Sequence, residues 1–259
     1  MISPLAYVDK EARIGANVTI HPFAYIDKNV EIGDNCTIMP YASILSGTRM
    51  GTDNIIYQGA IIGATPQDFK FKGEDTLLKI GNHNTIREKV ILNRGTNTTD
   101  CTIIGDGNFL LEGVHLAHDT HLGSHCVLGN GAKTAGNCII DDKAILGSEV
   151  IVKHGCRIGS WALLRDGCRA NKDVPPYIVA AHNPISYYGI NALILAKEGR
   201  LTENVIDNIA KCYRQIYQCG TSLENALRRI KDIIPLSPEI TYLVDFIEQS
   251  KKGIIGTTM

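Results

Sequence analysis

The sequence predicts a mainly β fold: a parallel β-helix of hexapeptide repeats followed by a C-terminal α-helical segment. The first observation is a period. Taking every sixth residue from Val8 gives Ile14, Ile20, Ile26, Ile32, Ile38, Ile44, Met50, Ile56 and Ile62. The phase returns at Ile80, Ile86 and Leu92, then resumes at Ile104 and runs to Leu164 with only Thr134 breaking the aliphatic series. The second observation is a smaller side chain four positions after each aliphatic one, as at Ala12, Val18, Ala24, Val30, Cys36, Ala42, Thr120, Cys126, Ala132, Cys138 and Cys156. The third is glycine directly after the aliphatic residue, as at Gly15, Gly33, Gly51, Gly105, Gly123 and Gly147. A short strand and a tight corner every six residues account for all of this. Large and small side chains alternate into a narrow core, and glycine relaxes the corner. An α-helix would need a period of 3.6, so this region is not helical.

The repeat covers about residues 8–170 and resembles the left-handed β-helix family. That resemblance implies three hexapeptides per triangular coil, so residues 18 apart stack, with strands ~4.8 Å apart. Two stretches interrupt the series, from about Ala64 to Lys79 and from about Gly95 to Thr102. Each is expected to loop out from a corner, where a rigid solenoid displays function. After Asp173-Val174-Pro175-Pro176-Tyr177 the period is lost, and the division expected is a β-helix over 1–186 and a helical domain over 187–259. Helices are expected near 187–198, 203–219, 222–233 and 238–251, covering the last open strand edge. Thr221-Ser222-Leu223-Glu224 reads as a capping box, and Ser237-Pro238-Glu239 as an N-cap with proline at the first helical position.

Composition narrows the function. With 26 basic and 27 acidic residues the chain carries a formal charge of −1, not the positive field of a dedicated nucleic-acid binder. No stretch approaches the roughly 20 apolar residues of a transmembrane segment, and the N-terminus lacks the features of a secretory signal. The 8 cysteines are scattered without a Cys-x-x-Cys pair, which fits reduced thiols and a cytoplasmic location.

Four of the 8 histidines fall between Phe109 and His125: His115, His118, His121 and His125. In the hexapeptide frame each takes an outward or corner position, where a solvated surface role is the simplest reading. Stacking singles out one. His118 plus 18 is Gly136, and plus 36 is His154. A histidine suited to proton transfer near neutral pH therefore lies beside a glycine whose amide a substrate can approach. Asp119 could fix the tautomer. Because His118 points outward, its removal is not expected to open a core cavity. A zinc site built from these histidines is the rival reading, as in the γ-class carbonic anhydrases that share the solenoid. A cysteine nucleophile fits less well, because Cys36, Cys126, Cys138, Cys156 and Cys168 occupy inward positions where a thiol behaves as a small hydrophobe.

Several motifs together resemble one family. Gly63-Ala64-Thr65-Pro66-Gln67-Asp68-Phe69-Lys70, then Gly73-Glu74, is similar to the substrate loop of the UDP-N-acetylglucosamine O-acyltransferases of lipid A synthesis. Asn84-Thr85-Ile86-Arg87-Glu88, Asn93-Arg94-Gly95-Thr96, His115-Leu116-Ala117-His118-Asp119, Asp173-Val174-Pro175-Pro176-Tyr177 and Tyr188-Gly189-Ile190-Asn191 continue the match in order. The resemblance implies transfer of a 3-hydroxyacyl group from acyl carrier protein to the 3-hydroxyl of UDP-N-acetylglucosamine, with no cofactor. It makes His118 the general base, Asp119 the acid that orients it, and Gly136 the oxyanion amide. It makes Asp68 and Lys70, with His115, the sugar-holding residues. His154, Asn191 and Lys197 or Arg200 are the further candidates for substrate contacts. The chain departs from the family pattern at Asn137, at Val152-Lys153-His154, and at Leu193 and Lys197-Glu198.

The family's assembly is a homotrimer, and an apolar outward column at Phe109, Val127, Ile145 and Leu163 supplies a surface for it. The acidic carrier protein implies a basic docking surface. Candidates are Lys153, Arg165, Arg169 and Lys172 on late coils, or Arg228, Arg229 and Lys231 on the helical segment.

Overall fold

In the computed structural model, which describes residues 1–99, 101–199 and 201–257, the hexapeptide pattern becomes two-residue strands such as Arg13–Ile14, Thr19–Ile20 and Tyr25–Ile26. The second residue of each faces inward: Ile20, Ile26, Ile38, Ile44, Ile56, Ile86 and Leu110 are fully buried. Along the coil every third strand pairs in parallel, and among the described residues the three faces are sheets of nine, eight and ten strands, the last ending in an antiparallel pair. Face one runs from Tyr7–Val8 to Arg169–Ala170, face two from Arg13–Ile14 to Arg157–Ile158, and face three from Thr19–Ile20 to Ser186–Ile190.

Most coils keep the 18-residue register, as in Val8↔Ile26 and Phe109↔Val127. On face one Ile61 pairs with Ile91, and Ile91 with His115, separations of 30 and 24 residues. The additional 12 and 6 residues belong to the 65–77 and 94–101 stretches. Both leave the coil at the corner between faces one and two. Because both insertions are multiples of six, the aliphatic phase survives them.

The core is not wholly apolar. Asn54, Asn84 and Asn108 occupy the small inward position and are buried. Asn84 donates its backbone N–H and Nδ2 to Asn54 Oδ1 at 2.9 and 3.0 Å. The Asn108 N–H donates to Asn84 Oδ1 at 2.9 Å, and the Cys126 N–H to Asn108 Oδ1 at 2.8 Å. The ladder satisfies backbone amides that would otherwise cost ~1–3 kcal/mol each when buried unpaired.

The C-terminal region corrects two expectations. Ser186–Ile190 is a strand antiparallel to Ile178–Ala181, not the start of a helix. Its Tyr187 stacks against both Tyr213 and Tyr217, at 5.6 and 4.4 Å between ring centroids, and a short apolar run does not by itself distinguish strand from helix. This strand also takes the far edge of face three, a role expected of helices. The helices are α1 (Ala192–Lys197), α2 (Glu203–Tyr217), α3 (Leu223–Ile233) and α4 (Pro238–Glu248). The N-cap of α3 is Ser222, whose hydroxyl accepts from the Asn225 N–H, so Glu224 is one position early for a capping box. Ser237 caps α4 ahead of Pro238, as the sequence suggests. Helix α4 is tied to the coil by Tyr242, whose hydroxyl donates to Asp141 at 2.6 Å and accepts the Ser160 N–H at 2.9 Å. Among the described residues no helix is long and apolar enough to cross a membrane.

Candidate active site

The corner between faces one and two holds, in successive coils, the 65–77 stretch, the 94–101 stretch, the Ala117–Thr120 turn, Gly136 and His154. The repeat therefore builds the site as a column. In its central turn Asp119 adopts φ 56°, a left-handed conformation that aspartate tolerates. Its carboxylate reaches back to the preceding side chain, with Oδ2 2.8 Å from His118 Nδ1.

The 94–101 stretch holds that carboxylate from the other side. The Thr96 N–H donates to Oδ1 at 2.9 Å and its hydroxyl to Oδ2 at 2.7 Å. The Asp119 N–H in turn donates to Thr102 Oγ1 at 2.9 Å. Burial alone would push the Asp119 carboxyl up. The hydrogen bonds from the Thr96 hydroxyl, His118 and the Thr96 amide outweigh it and hold the group below the usual carboxylate range. An ionised carboxylate at Nδ1 favours the proton on that nitrogen and leaves Nε2 as the acceptor. Nε2 faces the 65–77 stretch, where Asp68 Oδ2 lies 3.6 Å away.

One coil along, a Cβ on Gly136 would overlap the His118 ring, so glycine is required there for room. Backbone bonds tie the three turns together: the Asn137 N–H donates to His118 O, and the Gly155 N–H to Gly136 O, both at 3.1 Å. The outward position of His118 does not make it exposed. It is 8% accessible and Asp119 9%, because the two inserted stretches lie against them. Deleting the imidazole would leave the apolar core intact, but would empty a covered site and strip Asp119 of one partner.

The other candidates are spread more widely. Lys70 is exposed, with its N–H donating to Asp68 Oδ1 at 2.8 Å. His115 sits half-buried on face one, in register with Lys133. Burial and then the Lys133 charge push its imidazole below the ordinary histidine value. His154 is exposed on its corner. Asn191 is buried at the start of α1, where Nδ2 donates to Trp161 O at 3.0 Å, beyond the coil that carries Gly136. Lys197 is exposed in the last turn of α1, and Arg200 lies outside the described residues. Lys153, Arg165, Arg169 and Lys172 are all exposed, as are Arg228, Arg229 and Lys231, the last paired with Glu248 at 2.6 Å.

The four clustered histidines diverge: His115 on face one, His118 at one corner, His121 on face two, and His125 at the next corner. Among the described residues no group of three or more His, Cys, Asp or Glu could hold a metal ion. The inward cysteines are buried, and burial pushes the thiols of Cys126 and Cys138 up to about 12, far from a reactive thiolate.

Three threonines belong to the site in roles that the sequence pattern does not assign. Thr96 and Thr102 hold Asp119. Thr134, the break in the aliphatic series, turns its hydroxyl inward to accept the Ala117 N–H at 3.2 Å, directly under the His118 turn. That break was the available signal.

Comparison with known proteins places this geometry in context. The model described as bacterial transferase hexapeptide (six repeats) matches residues 11–40, 29–64 and 101–136. The model described as UDP-N-acetylglucosamine O-acyltransferase, domain 2, matches residues 173–255. The acyl-[acyl-carrier-protein]–UDP-N-acetylglucosamine O-acyltransferase of Halorhodospira halophila is 44% identical, covering 98% of each chain. The protein of the same description from Thermodesulfovibrio yellowstonii is 39% identical over 98% of this chain and 96% of its own. A solved UDP-N-acetylglucosamine acyltransferase from Bacteroides fragilis superposes with a TM-score of 0.97 at 51% identity, covering 98% of this chain and all of that one. The fold is accordingly the left-handed parallel β-helix with short C-terminal helices. On this similarity over nearly its full length, the chain is an acyltransferase and belongs to the UDP-N-acetylglucosamine O-acyltransferase family.

Proposed function

We propose that this protein transfers a 3-hydroxyacyl group from acyl carrier protein to the 3-hydroxyl of UDP-N-acetylglucosamine, the first step of lipid A synthesis, in the cytoplasm. The observation that carries the mechanism is the His118 imidazole held by Asp119 on Nδ1, with Nε2 turned toward Asp68 of the 65–77 stretch, beside Gly136. Nε2 takes the proton of the sugar hydroxyl as its oxygen attacks the thioester carbonyl carbon. A sugar hydroxyl ionises far above pH 7, and a positioned base is worth roughly 10²–10⁴ in rate. The Gly136 N–H donates to the oxyanion that forms, a contribution of about 10²–10³ for one such donor. Collapse breaks the carbon–sulfur bond, and the His118 imidazolium returns the proton to the departing thiolate. The products are the sugar ester and the free carrier thiol.

Asp68 and Lys70 on the 65–77 stretch, with His115, hold the acceptor in this reading, while His154, Asn191, Lys197 and Arg200 serve its nucleotide end. The reading includes a homotrimer. Supporting it, Phe109, Val127, Ile145 and Leu163 stack in consecutive strands of face three as an apolar surface column. The exposed Lys153, Arg165, Arg169 and Lys172 form the basic surface for the carrier protein.

One experiment tests the reaction and the assembly. The protein, its solution mass measured by light scattering, is incubated with UDP-N-acetylglucosamine and a panel of 3-hydroxyacyl carrier proteins, and products are identified by mass spectrometry. A trimer mass and an O-acylated nucleotide sugar are expected. No acyl transfer from any donor would overturn the reaction, and a monomer mass at micromolar concentration would overturn the trimer.

A further inference from the structure

The segment Asn93-Arg94-Gly95-Thr96 touches both halves of the site. Asn93 is fully buried, and its Nδ2 donates to the carbonyls of Ala64 and Thr65 at 3.3 and 2.7 Å, where the 65–77 stretch leaves the coil. The Arg94 N–H also donates to Ala64 O at 3.0 Å. The Arg94 guanidinium crosses to the other end of that stretch, donating from Nε to Thr76 Oγ1 at 3.1 Å and lying 5.5 Å from the Phe71 ring centroid. The Gly95 N–H donates to Leu77 O at 3.0 Å. The next residue, Thr96, reaches the opposite way and makes the two bonds to the Asp119 carboxylate. Four consecutive residues thus seat the stretch that carries Asp68 and, through Asp119, orient His118.

We infer that Asn93–Thr96 is a positioning element, and that Thr96 is a positioning residue for the general base, acting through Asp119 without touching substrate. This rests on the reading of His118 given above. The physical argument is one of shared acceptors. Asp119 Oδ2 accepts from both the Thr96 hydroxyl and His118 Nδ1. With the hydroxyl gone, the carboxylate keeps only the Thr96 amide as a donor from that stretch, on Oδ1, and the oxygen that faces His118 loses its second anchor. The imidazole then loses its fixed angle over Gly136. Hydrogen bonds to charged groups are the stronger kind, and misplacing a base impairs the transition state more than the ground state. Arg94 acts on the other half: it braces the seat of the acceptor stretch and makes no contact with the dyad among the described residues.

The test is a kinetic comparison of wild type, Thr96→Val, Thr96→Ser, Arg94→Met and His118→Ala, with melting temperatures measured alongside. Thr96→Val keeps the shape and the backbone donor and removes only the hydroxyl. It should lower kcat on the order of 10- to 100-fold with little change in KM for UDP-N-acetylglucosamine. Thr96→Ser should restore most of the rate. Arg94→Met should instead raise that KM with a smaller effect on kcat. A near-normal kcat for Thr96→Val beside a strongly impaired His118→Ala would overturn the inference while leaving the general base standing. A near-normal His118→Ala would remove both. A Thr96→Val defect that serine does not rescue would assign the residue a bulk structural role and also overturn the inference.

Discussion

At the corner between faces two and three, polar side chains serve the backbone of the neighbouring coil: the Ala16 N–H donates to Asp34, the Asn82 N–H to Asp106, and the Ser124 N–H to Asp142, at 2.6 to 2.7 Å. At the corner between faces one and two of the coil that holds Ser124, the Asp119 carboxylate instead accepts from a histidine and from the threonine of an inserted stretch. Each corner carries a histidine. His125 is exposed at the first kind, whereas His118 is covered at the second. Residue type does not distinguish the two corners, since both use Asp, Ser or Thr, and His. The identity of the hydrogen-bond partner does. A carboxylate bonded to the backbone of the next coil stabilises that coil, while the Asp119 carboxylate also fixes the angle of an imidazole.

Two substitutions sharpen this contrast. Gly136→Val pushes a side chain into the volume of the His118 ring, and a displacement near 1 Å can cost about 10²-fold in rate. Its kcat should fall by at least that factor, measured under saturating donor and acceptor. At the structural corner, Asp142→Ala removes the acceptor of the Ser124 N–H and should lower stability by about 1–2 kcal/mol in denaturant titration, with kcat unchanged. A catalytic defect in Asp142→Ala at wild-type stability would erase the distinction between the corners.

How much of this was legible in the sequence follows from the same physics. The aliphatic phase reports burial in a narrow coil with a six-residue period, and the resemblance to the left-handed β-helix family adds the 18-residue coil that stacks His118 on Gly136. The 65–77 and 94–101 stretches announce themselves as gaps in that period, yet what they touch depends on a tertiary path the period does not describe. Thr96 illustrates this: its motif is visible, but its bonds to Asp119 span 23 residues and arise because both insertions leave at one corner. His118 was read as outward, which the coil dictates, and its burial comes from the inserted stretches. Residues 187–190 look helical in isolation and are strand in the fold, because the aromatic packing partners Tyr213 and Tyr217 lie on α2. The inward position of the asparagines selects for size, and only the stacked neighbours reveal the amide ladder.

The paired substitution of the two corner histidines tests the central claim most directly. His118→Ala and His125→Ala remove the same group from adjacent corners of one coil, and each variant's kcat is measured with UDP-N-acetylglucosamine and a 3-hydroxyacyl carrier protein. The expected result is a loss of about 10²–10⁴ in kcat for His118→Ala and near-wild-type turnover for His125→Ala. Near-normal turnover by His118→Ala, or equal losses in both variants, would contradict it.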